Sequence, residues 1–338
     1  MDSLTQIVLG AACGEVALGK KIGNKAMLFG AIGGTIPDLD VIFGKLIYHN
    51  EIDAMAFHRG FMHSFLFSFI GAYLFGKLTF YLYNKGKRKN TTVTKDWIWL
   101  FFLSLLTHPI LDSFTPYGTQ LFLPFSSYRV AFNNISVVDP LYTLPFLLLL
   151  ITAMFFNRKS TKRRKLVKLS LYLSSFYMLL TIVNKLYIDT VFKESFNEAK
   201  ISYTRYSVQP TILNNFLWYG IAETEKNFKV GFYSLFDAKK GIDTILTIQK
   251  KHDLLDINHP DIQTLAWFSN DYFNLEKDST QYIYYDLRYP LLNPNDTKTS
   301  VFKFDLKKVN DRWDILPFKG NPPSKEDFSL FLERIKGK

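Results

Sequence analysis

Residues 58–83 read HRGFMHSFLFSFIGAYLFGKLTFYLY. From Phe65 onward the stretch is almost wholly apolar and close to the roughly 20 residues that a membrane-spanning helix needs. The seven residues before it hold His58, Arg59, His63 and Ser64. Ionisable groups beside hydrocarbon are costly, and where they occur they mark function by default. This junction decides the reading of the fold as a helical membrane protein with polar chemistry at one rim.

Working outward, further apolar segments run over Leu4–Leu18, Ala26–Ile36, Trp97–Leu111, Val137–Phe156 and Leu166–Ile188, with His63–Tyr83 as the third of six. Charge divides the chain of 338 residues at the same place. Residues 1–188 hold 20 Lys and Arg against 9 Asp and Glu, whereas residues 189–338 hold 21 of each. The whole excess of +11 therefore belongs to the apolar half. Of its 20 basic residues, 15 fall in three alternate loops, around Lys20–Lys25, Lys85–Lys95 and Arg158–Lys168. Basic loops of this kind face the cytoplasm, so the charge has a topological explanation and nucleic acid is not expected as a partner. Residues 1–3, 37–62, 112–136 and everything after about 189 then face outward. The expected fold is an α-helical transmembrane bundle of about six membrane helices (1–188), in an inner or plasma membrane. A small extracytoplasmic α+β domain with an antiparallel sheet (189–338) follows it.

Beyond residue 189 the pattern changes to short strand-like runs, ISYTRYSV, NNFLWYGIAET, NFKVGFYSLF, TQYIYYDLRYP and SVFKFDLKKV, separated by Asn-Pro, Pro-Pro and Asp-rich joints. DIQTLAWF reads as a short helix, and SKEDFSLFLERI as a terminal helix capped by Ser324. His252 and His259 lie in a polar loop and read as surface residues. Trp218, Tyr219, Tyr282, Tyr284 and Tyr285 read as core.

The other four histidines, His49, His58, His63 and His108, fall in the membrane half. On the deduced orientation they share the outer rim with Asp38 and Asp40 of TIPDLD, Asp112 of THPILDS and Asp139 of VVDP. His108 and Asp112 are four apart and share a helix face. Pro109 between them suggests that the helix starts or kinks there. His58 and His63 converge only through a turn at Arg59–Gly60. Imidazole and carboxylate donors together suit Zn²⁺, with Mn²⁺ or Fe²⁺ as alternatives. The expected ligands are His63, His108, Asp112 and one of Asp38 or Asp40. Interhelical packing is the rival account of any single residue in this set.

The motifs MDSLTQ, PDLD, HRGFMHS and HPILDSFTPYGTQLFLPFS resemble the membrane-bound, metal-dependent hydrolases of the LexA-regulated YdjM-like family, over roughly residues 1–150. The order of Asp, His and HxxxD is more faintly similar to the zinc-dependent phospholipase C and P1-nuclease group. Carried over by position, the resemblance implies roles for Asp38, Asp40, His58, Arg59, His63, His108 and Asp112. The chain departs from the family in having Gln6, a poor ligand, where a histidine commonly follows Thr, so a one-ion site is expected.

The expected activity is hydrolysis of an ester or phosphoester in a membrane lipid or lipid-linked substrate at the outer face. His58 or Asp40 would act as general base. Arg59 and Arg129 would pair with phosphate, and Ser64 and Asp139 are grouped with them as substrate-binding candidates. An ion-coupled transporter and a non-enzymatic anchor for a partner-binding domain are the alternatives.

Overall fold

The structure, a computed structural model, describes residues 1–278, 281–316 and 324–337. The chain divides into two compact units. One comprises Met1–Phe43, Phe57–Phe132 and Val137–Thr181; the other comprises Gly44–Ala56, Asn133–Ser136 and Ile182–Lys338.

All six apolar segments are helical. They lie in α1 (Ser3–Ile22), α2 (Asn24–Thr35), α5 (Phe65–Tyr83), α6 (Thr94–Ser113), α7 (Pro140–Met154) and α8 (Thr161–Glu198). By length and composition α5 and α8 can each cross a membrane. A third span results if α2 and the Pro37–Ile47 segment, bent by 42° at their junction, count as one. The expectation of six spans is therefore reduced to two or three by this criterion. The reason lies in the sequence: α1 buries Gln6 and Glu15, α6 buries His108 and Asp112, and α7 is 15 residues long. Residues 37–62, which fall between the apolar segments, contain α3 (Asp40–Ile47) and α4 (Glu51–Phe57).

α1 and α2 meet backbone to backbone through Gly10, Gly14, Gly30 and Gly34, two small-xxx-small pairs of the kind that lets helices approach closely. A methyl group on Gly10 would overlap the Gly30 carbonyl oxygen and sit 2.9 Å from Gly34 Cα. α6 continues through Pro109 rather than starting there. Proline leaves the Leu105 carbonyl without its helical donor, and the Ser68 hydroxyl of α5 donates to that oxygen at 3.0 Å. Between α1 and the start of α8, Arg163 grips Glu15 with both ends of its guanidinium, Nε to Oε1 and Nη2 to Oε2, each at 2.6 Å. Its Nη1 donates to Asn24 Oδ1 at 2.6 Å and to the Phe156 carbonyl at 3.1 Å.

The second unit carries two four-stranded antiparallel sheets, each a simple meander. The first is β1 (Arg205–Pro210), β2 (Leu217–Glu223), β3 (Asn227–Ser234) and β4 (Ile245–Gln249). The second is β5 (Phe273–Asp278), β6 (Gln281–Asp286), β7 (Lys303–Val309) and β8 (Arg312–Leu316). α9 (Pro260–Phe268) separates them and α10 (Lys325–Ile335) follows, with the Ser324 hydroxyl accepting from Asp327 N as the cap expected of it. The Pro322-Pro323 joint lies outside the described residues. α8 does not end near residue 188 but continues as an amphipathic helix, burying Ile188, Val191, Phe192 and Phe196 against Val208, Trp218 and Tyr233. Gly220 of β2 makes that possible, because any Cβ there would overlap the Phe192 ring. Trp218, Tyr219, Tyr284 and Tyr285 are buried, as expected of core.

His252 and His259 are tied more firmly than surface residues. The His252 ring stacks on Phe273 at 4.0 Å and its Nε2 donates to the Phe273 carbonyl at 2.8 Å. His259 caps α9, accepting from Asp261 N at 3.2 Å.

Candidate metal centre

Three chain segments of the helical unit build the site. α2 ends at Thr35, and Pro37 opens a 3₁₀ turn, Pro37–Leu39, that presents Asp38 and leads into Asp40 at the head of α3. A second 3₁₀ turn, Phe61–His63, lies just before α5 and presents His63. The third segment is α6, with His108 and Asp112 on one face, one turn apart.

One donor atom from each of Asp38, His63, His108 and Asp112 lies within 4.8 Å of every other. The two Nε2 atoms of His63 and His108 are 3.1 Å apart. Asp38 Oδ1 is 3.5 Å from His63 Nε2 and 3.4 Å from His108 Nε2. Asp112 Oδ2 is 3.4 Å and 3.5 Å from the same two nitrogens. Ligands about 2.0–2.1 Å from a shared tetrahedral centre would stand about 3.3 Å from each other, and the five separations above, 3.1–3.5 Å, are close to that.

Protonation supports the same reading. His108 Nδ1 donates to the Gly34 carbonyl at 2.6 Å, which leaves its Nε2 as a lone pair. His63 Nδ1 lies 3.0 Å from Asp40 Oδ2, which leaves the other ring nitrogen, Nε2, turned toward the same point. Asp112 Oδ2 is fully buried and accepts no aligned hydrogen bond. Two imidazole nitrogens and two carboxylate oxygens therefore face one another, with His63, His108 and Asp112 buried and Asp38 half-buried. A proton could reconcile two of them; one cation at the centre reconciles all four. These residues could hold a metal ion.

The surroundings hold the ligands in place. Asp40 accepts from His58 Nδ1 at 2.7 Å and from the Arg59 backbone N–H at 2.9 Å, besides facing His63. It thus sits behind His63 as a positioning residue rather than among the four donors. Arg59 adopts a left-handed conformation, φ 59°, a strain that bulky residues show chiefly at functional sites. Its Nε is 3.2 Å from Asp112 Oδ2 and its Nη1 donates to Thr115 Oγ1 at 3.0 Å. Gln6 Nε2 donates to Asp112 Oδ1 at 2.8 Å and to the His108 carbonyl at 3.2 Å, and the Met1 amino group donates to the same Oδ1. Gln6 thus steadies the ligands from behind. Asp38 and His58 each keep 21% of their side chains exposed while His63 and His108 keep none, so the group opens on the Asp38–His58 side.

The remaining candidates fall around or away from the group. Arg129 and Arg59 both pack against the Tyr117 ring, at 5.1 and 4.5 Å from its centre, and Arg129 Nη2 also donates to the Tyr117 and Gly118 carbonyls. Ser64 caps α5, accepting from Phe67 N at 3.0 Å. Asp139 caps α7 and accepts from the Tyr177 hydroxyl at 3.0 Å, so its carboxylate serves packing. His49 belongs to the other unit. Sequence reasoning missed Tyr117, although it stands in the HPILDSFTPYGTQ motif. It also missed the Gly34 carbonyl, for which no side-chain signal exists.

Apolar helices of spanning length and a buried His/Asp group define a helical membrane protein with a metal-type centre. Residues 1–188 match the family described as YdjM inner membrane protein, and the chain belongs to that family. It is also similar to the YfhP protein of Bacillus subtilis (strain 168), 29% identical over 147 residues, which is 41% of this chain and 42% of that protein's length. No solved structure matches the chain.

Proposed function

We propose that the chain is a membrane-bound, metal-dependent hydrolase that cleaves an ester or phosphoester of a lipid or lipid-linked substrate. The observation that carries this reading is the convergence of one ligand-type atom from each of Asp38, His63, His108 and Asp112, the last three of them buried, within 4.8 Å of one another. Zn²⁺ suits such a set, with Mn²⁺ or Fe²⁺ as alternatives, and supplies Lewis acidity and a nucleophilic water near neutral pH.

The chain's own residues account for the rest. His58, with Nδ1 held by Asp40, keeps Nε2 as the acceptor for a proton at the open side of the group. Arg59 and Arg129, both packed against the Tyr117 ring, offer guanidinium charge to a phosphate oxygen. The distribution of basic loops supports an outward-facing centre and an extracytoplasmic second unit, with α1, α6 and α7 also within the bilayer. A substrate headgroup at the outer rim is then within reach.

Metal analysis of the detergent-purified protein tests the centre. About one ion per chain is expected in the wild type, and loss of at least nine-tenths of it in His108→Ala and Asp112→Ala. Stoichiometric metal that survives both substitutions overturns the assignment. Hydrolysis of a phosphoester lipid panel, lost in the same variants, tests the reaction.

A further inference from the structure

We propose that the basic end of the helical unit holds a second site, a seat for the phosphate headgroup of an anionic phospholipid. It stands apart from the hydrolytic reading, since it shares no residue with the metal-type centre. A cavity of about 490 Å³ lies between α1 and the first turns of α8, lined by Glu15, Val16, Lys20, Arg164, Lys165 and Lys168 among others.

Its charge balance is lopsided for a structural reason. Glu15 is the one carboxylate in the wall, and both of its oxygens are taken by the buried Arg163. Among the described residues, no side-chain partner faces Lys20, Arg164, Lys165 or Lys168. Four free cations thus line a recess whose single anion is already neutralised, which suits a phosphate. The lipid source follows from the rest of the wall. Val16, 57% exposed, and Val167 give it an apolar side. Directly beyond, α8 exposes Leu169, Tyr172 and Leu173 along a helix apolar enough to span the membrane. A headgroup among the cations would lead its acyl chains onto that face. Basic recesses at helix ends on the cytoplasmic side recognise anionic headgroups by this arrangement.

Native mass spectrometry of the full-length protein, released from detergent holding equimolar phosphatidylglycerol and phosphatidylcholine, tests the site. The wild type is expected to retain phosphatidylglycerol in roughly tenfold preference. Lys20→Gln, Arg164→Gln, Lys165→Gln and Lys168→Gln combined should bring the ratio near one. Lys85→Gln, Lys87→Gln, Lys89→Gln and Lys95→Gln combined remove equal charge from another basic loop and should leave the preference intact. Equal loss in both variants would mean diffuse attraction and overturn the site. Val16→Trp keeps every charge but fills the recess, and should lower phosphatidylglycerol occupancy at least threefold; unchanged occupancy overturns the proposal even if the charge variant fails to fold. Displacement of bound lipid by millimolar glycerol phosphate would assign the recess to a soluble anion and overturn the lipid reading.

Discussion

Two buried polar clusters sit in the helical unit, and they differ in one respect. In the Arg163–Glu15 cluster each carboxylate oxygen receives a guanidinium N–H, and Nη1 is shared between Asn24 and a backbone carbonyl. Charge and hydrogen bonds both close within the protein. In the cluster of Asp38, His63, His108 and Asp112 the outer contacts to Gly34, Asp40 and Gln6 orient the side chains, but two imidazole nitrogens and two carboxylate oxygens are left facing one another, and Asp112 Oδ2 accepts no aligned hydrogen bond. A buried ion pair that is complete explains itself as packing. A group whose ligand-type atoms converge with no protein group between them suits a cation. Burial and charge alone would not separate the two; the direction in which the lone pairs point does.

That contrast can be broken experimentally. Glu15→Ala strands the Arg163 charge and should destabilise the protein by about 3–5 kcal/mol, read as a fall in melting temperature, with metal content unchanged. A parallel fall in bound metal would show that the two clusters are not independent. Chelator treatment sharpens the comparison from the other side. An ion present at about 100 times its Kd stabilises by about 2.7 kcal/mol, so a chelator should lower the wild-type melting temperature. The same drop is expected in Glu15→Ala and none in Asp112→Ala. The smallest effect concerns the helix that carries both α6 ligands. Ser68→Ala removes the donor to the Leu105 carbonyl beside Pro109 and should cost about 1 kcal/mol, seen as a small melting shift with metal retained. Loss of metal in that variant would mean that the hydroxyl fixes ligand geometry as well as the helix.

Much of this was legible in the sequence where the signal is local. Uniform apolar runs gave the six helices, the change of charge balance near residue 189 marked the sheets to follow, and His63, His108 and Asp112 stood out as polar groups at the ends of apolar segments. What failed to show depends on contacts distant in sequence. Asp38 and Asp40 are two residues apart and chemically alike, yet one joins the inner atoms and the other backs His63, a distinction made by the turn at Pro37 and the strained Arg59. Pro109 reads as a break because its remedy, Ser68, lies on another helix. α8 runs past the apolar stretch because an amphipathic stripe replaces uniform hydrophobicity once Ile188, Val191, Phe192 and Phe196 meet a sheet. β4, β5 and β8 are short, and β5 and β8 are polar enough that pairing, rather than composition, makes them strands.

The acceptor that fixes the tautomer of His108 is the main-chain oxygen of Gly34, and Gly34 is pressed against α1 at Gly10. No change of side chain can delete that oxygen. A single added carbon on the neighbouring helix, at Gly10, would push it aside. Drift at this protein's centre is therefore policed by a glycine that never approaches an ion as well as by the residues that would touch one.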